Sequence, residues 1–597
     1  MIVMPKTDQK VPSQRNRLVF GVILVTLLFT QASLFAGLSW STSLNSTEVG
    51  HIGATVYFWH TGKFDVFRVN PPLTRSIVGI PLALFCNPNY NWERYSARPQ
   101  DRSEWVLGLA FINANEPDDL RLYVFLMRTA YFPLFLLGGY FSYHFASELY
   151  GVLPGVVLLN LWVFSPLVLA WGATICPDVC AASLGIIGVY TFWHWLKTPT
   201  WGKTITAGIC LGLLPLTKMT WIIAFPLWFL IWFIWVIPYF IKRNSNVIIP
   251  GWKQLAAILL IGVYMINMGY AFDGSFRQLR DYKFISHTLT GREINEKSLS
   301  VVTGNRFEKS WLGYVPVPLP GEFVQGIDTQ KLDFERGIES YLRGEYSRHG
   351  WWYYYVYTIL IKEPLGTLCL GVLAIITTIF LTQYNASWRD EMVVILPGLV
   401  FFIFVSSQNG FSLHPRYIIP ALPFAYIWIS KLGQSFAKKQ YPLSTVTVIL
   451  LIWMVGSSLY YFPHSMSYFN ELVGGPKNGP KHLLGSNVDW GQNSYFLQKW
   501  YNKHPEARPI KIAYSSTESL DRLGIKDTQQ PPKEPEPGWF ALGVNEIYAS
   551  SKQYEYFKQF EPVDFIGYSI YIYHIKLDEA NNVRCEMGLQ RIEDNYL

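Results

Sequence analysis

At 597 residues the chain is 50% hydrophobic and 17% aromatic but only 15% charged, too few charges for an ordinary soluble surface of this size. The net charge of +7 comes from Lys and Arg gathered in short segments between apolar runs; that pattern orients a membrane protein, and no nucleic-acid partner is expected from it. Six cysteines are scattered, Cys210 and Cys369 inside apolar runs and Cys176 and Cys180 four apart beside one, so neither a disulfide framework nor a Cys-x-x-Cys metal site is legible.

Mean hydropathy is only +0.17, because long apolar runs alternate with long polar stretches. A span needs about 20 apolar residues, since the hydrocarbon layer is roughly 30 Å thick and a helix rises about 1.5 Å per residue. Residues 18–40 meet that length, follow Lys6, Lys10, Arg15 and Arg17, and lack a small-residue cleavage site; they read as a retained first span with a cytoplasmic N-terminus. Further spans are predicted at 122–146, 152–171, 179–196, 204–219, 221–241, 254–272, 364–382, 391–407, 416–431 and 442–462, about eleven in all. Alternating sides put Lys197, Lys203, Lys242, Arg243, Arg389, Lys431, Lys438 and Lys439 in the cytoplasm, as the positive-inside rule requires. The same parity places 41–121, 273–363 and the tail on one extracytoplasmic side.

The expected fold is therefore mainly α, a polytopic helical membrane protein with a membrane domain over 1–463 and a small extracytoplasmic α/β domain over 464–597. Strand-like runs in that tail lie at 511–514, 539–544 and 569–573, with a helical stretch near 517–523 and a turn-rich 531–538.

The first outer segment carries Glu48 and His51 directly after span one, then Asp65, Arg68 and Asn70 before a Pro71-Pro72 turn. A carboxylate at a span mouth sits in partly excluded water, so Glu48 reads as a base, as a metal ligand or, more plainly, as the cap of a short helix. Asp178 is flanked by apolar helix on both sides, a costly place for a charge and so a site candidate, with capping as the plain alternative. Arg128, Lys218, Lys362 and Arg416 collect at outer ends. Each alone could snorkel to the interface, but four together oppose the positive-inside bias and point to a shared anionic ligand such as a lipid phosphate. The aromatic run at 351–357 reads as an interfacial belt.

Taken in order, these motifs resemble bacterial relatives of the protein O-mannosyltransferases and of lipid A aminoarabinose transferase. The set comprises Glu48 and His51 with Asn70-Pro71-Pro72-Leu73, Ser165-Pro166 leading to Asp178, Leu216-Thr217-Lys218, Gly344 through Tyr355 with Lys362-Glu363-Pro364, His414 through Pro420, and Ser486 through Gln492. The resemblance covers most of the chain. It implies a polytopic glycosyltransferase of the GT-C type in the cell membrane, taking a sugar from a polyprenyl-phosphate donor to a protein, lipid or glycan acceptor on the extracytoplasmic face, with inversion. The family's acidic residue in the first outer loop maps onto Glu48, though Thr47 stands where an Asp-Glu pair is usual. Asp178 then positions the acceptor or joins Glu48 as a ligand of a divalent cation, and His51, Asp65, Arg68, Asn70, Arg128, Lys218, Lys362, His414 and Arg416 become donor-phosphate and substrate contacts. A polyprenyl-linked sugar flippase and a membrane-anchored binding protein are the competing readings. The first predicts internal repeats and polar residues deep in the spans, neither of which is evident.

Overall fold

A computed structural model describes residues 14–90, 102–242, 249–291, 303–526 and 528–593, so Lys6, Lys10 and Arg243 lie outside the described residues. The architecture is mainly helical, as expected. In chain order the first helices are α1 (Gln14–Ser41), α2 (Ser46–Thr61), α3 (Pro72–Phe85), α4 (Ser103–Ala114), α5 (Pro117–Thr129), α6 (Phe132–Tyr150), α7 (Val152–Val163), α8 (Pro166–Gly172), α9 (Asp178–Lys197), α10 (Trp201–Thr217), α11 (Ala224–Lys242) and α12 (Trp252–Gly269).

Among the described residues six helical stretches are long and apolar enough to cross a membrane: Leu18–Ser41, Pro117–Tyr150, Asp178–Lys197, Met219–Ile237, Trp252–Gly269 and Tyr441–Tyr460. Two further pairs qualify only if each is one bent span, α7 with α8 at 57° and Tyr354–Lys362 with Leu365–Phe380 at 113°. Three predicted spans take other forms. Helix α10 has 17 residues, helix Trp388–Ser406 carries Asp390 and Glu391 in its first turn, and the stretch from Pro415 to Gly433 is broken into 3-10 and α pieces around Pro420 and Pro423.

Helix α9 lies at the centre, packed against α6, α8, α10 and the 3-10 turn Pro415–Ala421. Its own Trp193 and Trp195 are fully buried, as are Trp171, Trp221 and Trp228 on other segments. Outward faces are apolar instead: Leu18, Val25 and Phe29 on α1 are 66–72% exposed, a surface suited to hydrocarbon.

The first outer segment, predicted as a loop over 41–121, contains α2, α3, α4 and the start of α5. Helix α2 buries Thr47 through Tyr57 without a polar face, so its sequence carries no amphipathic period. It crosses α4 closely. A Cβ on Gly108 would stand 2.0 Å from the Val49 carbonyl oxygen, and one on Gly53 would stand 2.2 Å from that of Glu104.

The tail forms a four-stranded sheet in the order β3-β4-β6-β5, with β3 (Ile510–Ala513) parallel to β4 (Gly538–Gly543), and β6 (Ile570–Ile575) antiparallel to both β4 and β5 (Asp564–Ile566). Strands β1 (Ser340–Leu342) and β2 (Glu345–Ser347) form a separate hairpin. The predicted helical stretch near 517–523 is bend and turn; the longer helices of the tail are Ser494–Lys503 and Leu577–Glu586, with a single turn at Val544–Ile547.

Candidate functional site

Asp178 is the first residue of α9, where the free N–H groups and dipole of a helix start favour negative charge. It is 1% exposed, yet it is surrounded by donors. The Lys218 ammonium pairs with Oδ1, the Cys176 thiol donates to Oδ2 at 2.7 Å, and Arg416 Nε stands 3.5 Å from Oδ2. Helix α10 ends at Thr217, with Lys218 in extended backbone before the 3-10 turn Met219–Ile223, and Pro415 starts the 3-10 turn that carries Arg416. Aromatic faces hold both cations: Lys218 Nζ lies 4.6 Å over Tyr417 and the Arg416 guanidinium 4.9 Å over Trp171.

Arg416 also donates to the Thr47 hydroxyl, which brings the start of α2 into the same cluster. His51 follows one turn later on that helix, 5% exposed and 4.9 Å from the Phe67 ring. Burial and the nearby Arg416 guanidinium press its imidazole down to about 3, so it is neutral at physiological pH. His414 bonds Ser486 Oγ through Nδ1 at 2.7 Å, and burial with Arg416 and Lys218 close by likewise holds it well below the ordinary histidine range.

Glu48 has a different environment. It closes a capping box with Asn45, whose backbone N–H it accepts at 3.0 Å, and it also accepts Ile175 N at 2.8 Å and Arg128 at 2.8 and 2.6 Å. Both oxygens of this fully buried carboxylate are thus engaged by protein donors. Arg128, 1% exposed, donates besides to the carbonyls of Ser39, Thr42 and Ser43 at 2.7–2.9 Å. The pair joins the end of α1, the start of α2 and the segment before α9, and Arg128 has no donor left for a phosphate.

Other residues singled out from the sequence lie elsewhere. Arg68 pairs with Glu322 of the second outer segment. Asp65 lies near Arg75, a residue the sequence did not single out, which donates to the carbonyls of Val66, Phe67 and Asn70 and so folds that loop around itself. Lys362 donates to the carbonyls of Met466 and Asn487 at 2.8 and 2.7 Å over the Phe469 ring. The candidates therefore divide into a cluster of Asp178, Lys218, Arg416, His51 and His414 and a set of structural clamps. Cys176, Trp171 and Tyr417 belong to the cluster without having been predicted for it; Cys176 and Tyr417 stand beside Asp178 and Arg416 in sequence, whereas Trp171 reaches the cluster only through space, under the Arg416 guanidinium.

A divalent cation does not fit this donor set. The carboxylates of Glu48 and Asp178 already face guanidinium and ammonium groups, and among the described residues no three His, Cys, Asp or Glu side chains stand together to hold a metal.

Beside the cluster lies a pocket of about 400 Å³, counting the space that is open to solvent. Lys218 and Tyr417 form one wall, Gln330, Gln408 and Tyr355 contribute polar groups, and Phe404 and Val405 line it with the end of helix Trp388–Ser406. That helix exposes Ile395, Leu399, Ile403 and Phe404 to its surroundings.

No family model and no curated protein sequence matches the chain. Solved structures similar to it include ArnT from Cupriavidus metallidurans bound to undecaprenyl phosphate, at 12% identity and a TM-score of 0.43, covering 94% of this chain and 98% of that one. The oligosaccharyltransferase AglB from Archaeoglobus fulgidus, in complex with an inhibitory peptide and a dolichol-phosphate, is 11% identical with a TM-score of 0.45, covering 95% and 75%. A complex of the same archaeal oligosaccharyltransferase with Zn and sulfate gives 11% and 0.43, covering 89% and 70%.

Proposed function

We propose that the chain is a membrane glycosyltransferase that takes a sugar from a polyprenyl-phosphate carrier and transfers it on the extracytoplasmic side, its N-terminus in the cytoplasm. The observation that carries this reading is the pocket's polarity. Lys218 and the rings of Tyr417 and Tyr355 line it on the side of the Asp178 cluster, and Phe404 and Val405 line it from the end of a helix whose Ile395, Leu399 and Ile403 are exposed, a combination suited to a ligand with a phosphate head and a long hydrocarbon tail.

The phosphate draws Lys218 and Arg416 toward itself, and those cations offset the charge that grows on it as the bond from the anomeric carbon to the phosphate oxygen breaks. Asp178, then less tightly paired, accepts the proton of the acceptor hydroxyl as the new bond forms on the opposite face, which inverts the anomeric centre. Neutral His51 lends the site a hydrogen-bonding group without charge. Glu48 and Arg128 position the segments that carry Thr47 and Asp178. Acid–base work thus falls to Asp178, and Glu48 orients.

Binding of a long-chain polyprenyl phosphate, compared with the corresponding alcohol, tests the phosphate assignment on the purified full chain. Preference for the phosphate by at least about tenfold, roughly 1.4 kcal/mol, is expected, and Lys218→Met or Arg416→Met should abolish it. Equal affinity for phosphate and alcohol in the wild type would overturn the assignment. Movement of the lipid-linked sugar across vesicles without any acceptor would favour a flippase instead.

A further inference from the structure

Two stretches that meet around Asp178, the start of α2 and the turn before Arg416, are tied to one loop of the tail, residues 484–492, and so is Lys362. At the start of α2, Ser43 N donates to Gln492 O at 3.0 Å, Ser46 N to Trp490 O at 2.8 Å, and Ser43 Oγ to Gly491 O at 2.8 Å. Ahead of Arg416, Asn487 donates to Leu413 O at 3.1 Å and Ser486 bonds His414. The Asn487 carbonyl receives Lys362 at 2.7 Å. Loop 484–492 therefore decides how far the helix that carries Thr47 stands from the turn that carries Arg416.

The loop is itself gripped at Asp489, which is 3% exposed. Its carboxylate accepts Gly491 N at 2.7 Å, the Tyr514 hydroxyl at 3.2 Å and the Ser569 hydroxyl, and its carbonyl accepts Asn545 Nδ2 at 2.9 Å. Tyr514 follows β3, Asn545 follows β4 and Ser569 precedes β6. With β3 parallel to β4 and β6 antiparallel, those three positions fall at one end of the sheet. A single buried carboxylate thus joins the sheet end to the loop.

We propose that Asp489 is a positioning residue for the Asp178 site: held by the ends of three strands, it keeps loop 484–492 in the shape that sets Thr47 and Arg416 around Asp178. The inference rests on reading the Asp178 cluster as the reacting site, and it makes the tail part of that site. Amide hydrogen exchange on the full chain reads positioning without needing turnover. Asp489→Ala should raise exchange about tenfold at 43–48 and 413–417 while α9 stays protected, and Asp489→Asn, which keeps the shape and one acceptor oxygen, should return both stretches to within about threefold of wild type. Unchanged exchange at both stretches overturns the proposal, and so does a rise that extends equally through α9. Should Asp489→Ala not fold, Ser569→Ala removes one donor and should give the same pattern at lower amplitude; no change there overturns the proposal too. If exchange responds as expected while polyprenyl-phosphate affinity stays at the wild-type level, the positioning role stands and the phosphate reading of the cluster fails.

Discussion

Glu48 and Arg128 show how a charge can be buried at the ends of these helices: both carboxylate oxygens and all five guanidinium N–H groups are matched, so neither group has to be hydrated. Removing one partner leaves the other stranded. Glu48→Ala should destabilise the folded chain by about 3–5 kcal/mol, and the Glu48→Met/Arg128→Met double variant should recover most of it; apparent thermal stability in detergent reads both. Equal loss in the single and double variants would mean that the pair contributes through packing, not charge. The Asp178 cluster differs at the same scale. Its carboxylate is held by a flexible lysine and by an arginine 3.5 Å away, partners that a competing anion can draw off, whereas the bidentate grip of Arg128 on Glu48 cannot loosen without opening four segments.

At the scale of elements, the site depends on where α2 lies, and that depends on its crossing with α4. Gly108→Ala places a methyl against the Val49 carbonyl and should cost about 1–3 kcal/mol as the helices part. Gly21→Ala on α1, where an added methyl meets nothing, is the control and should leave stability unchanged. Similar melting of the two variants would show that the crossing tolerates separation. The long apolar helices were legible in the sequence because burial in hydrocarbon requires length and composition alone. Helix α2 was legible only as the short helix that Glu48 would cap, since protein covers its polar and apolar residues alike and erases the period that marks an amphipathic helix. The bend at Ser165 was equally hidden, for the apolar run 152–171 reads as one continuous span until its chain direction is known. The cations were found as a group, but their division was not: Arg128 meets Glu48 across 80 positions and Lys362 meets Asn487 across 125, and neither pairing leaves a local trace.

Over the whole molecule, the helices and the tail meet at the Asp178 cluster. Apolar faces on α1 and helix Tyr441–Tyr460 suit the chain to a bilayer, α9 carries Asp178 to the end of the bundle, and the tail's loop 484–492 ties the segments that close around it. The most direct test of the central claim is the release of polyprenyl phosphate from labelled polyprenyl-phosphate hexose and pentose donors, together with loss of label from the lipid, in native membrane vesicles containing the full chain. Wild type should release the carrier and transfer the sugar. Asp178→Asn, folded to the same apparent melting temperature, should lose about 10²–10⁴-fold in rate, the range expected for loss of a general base. Transfer by Asp178→Asn at the wild-type rate would contradict the account.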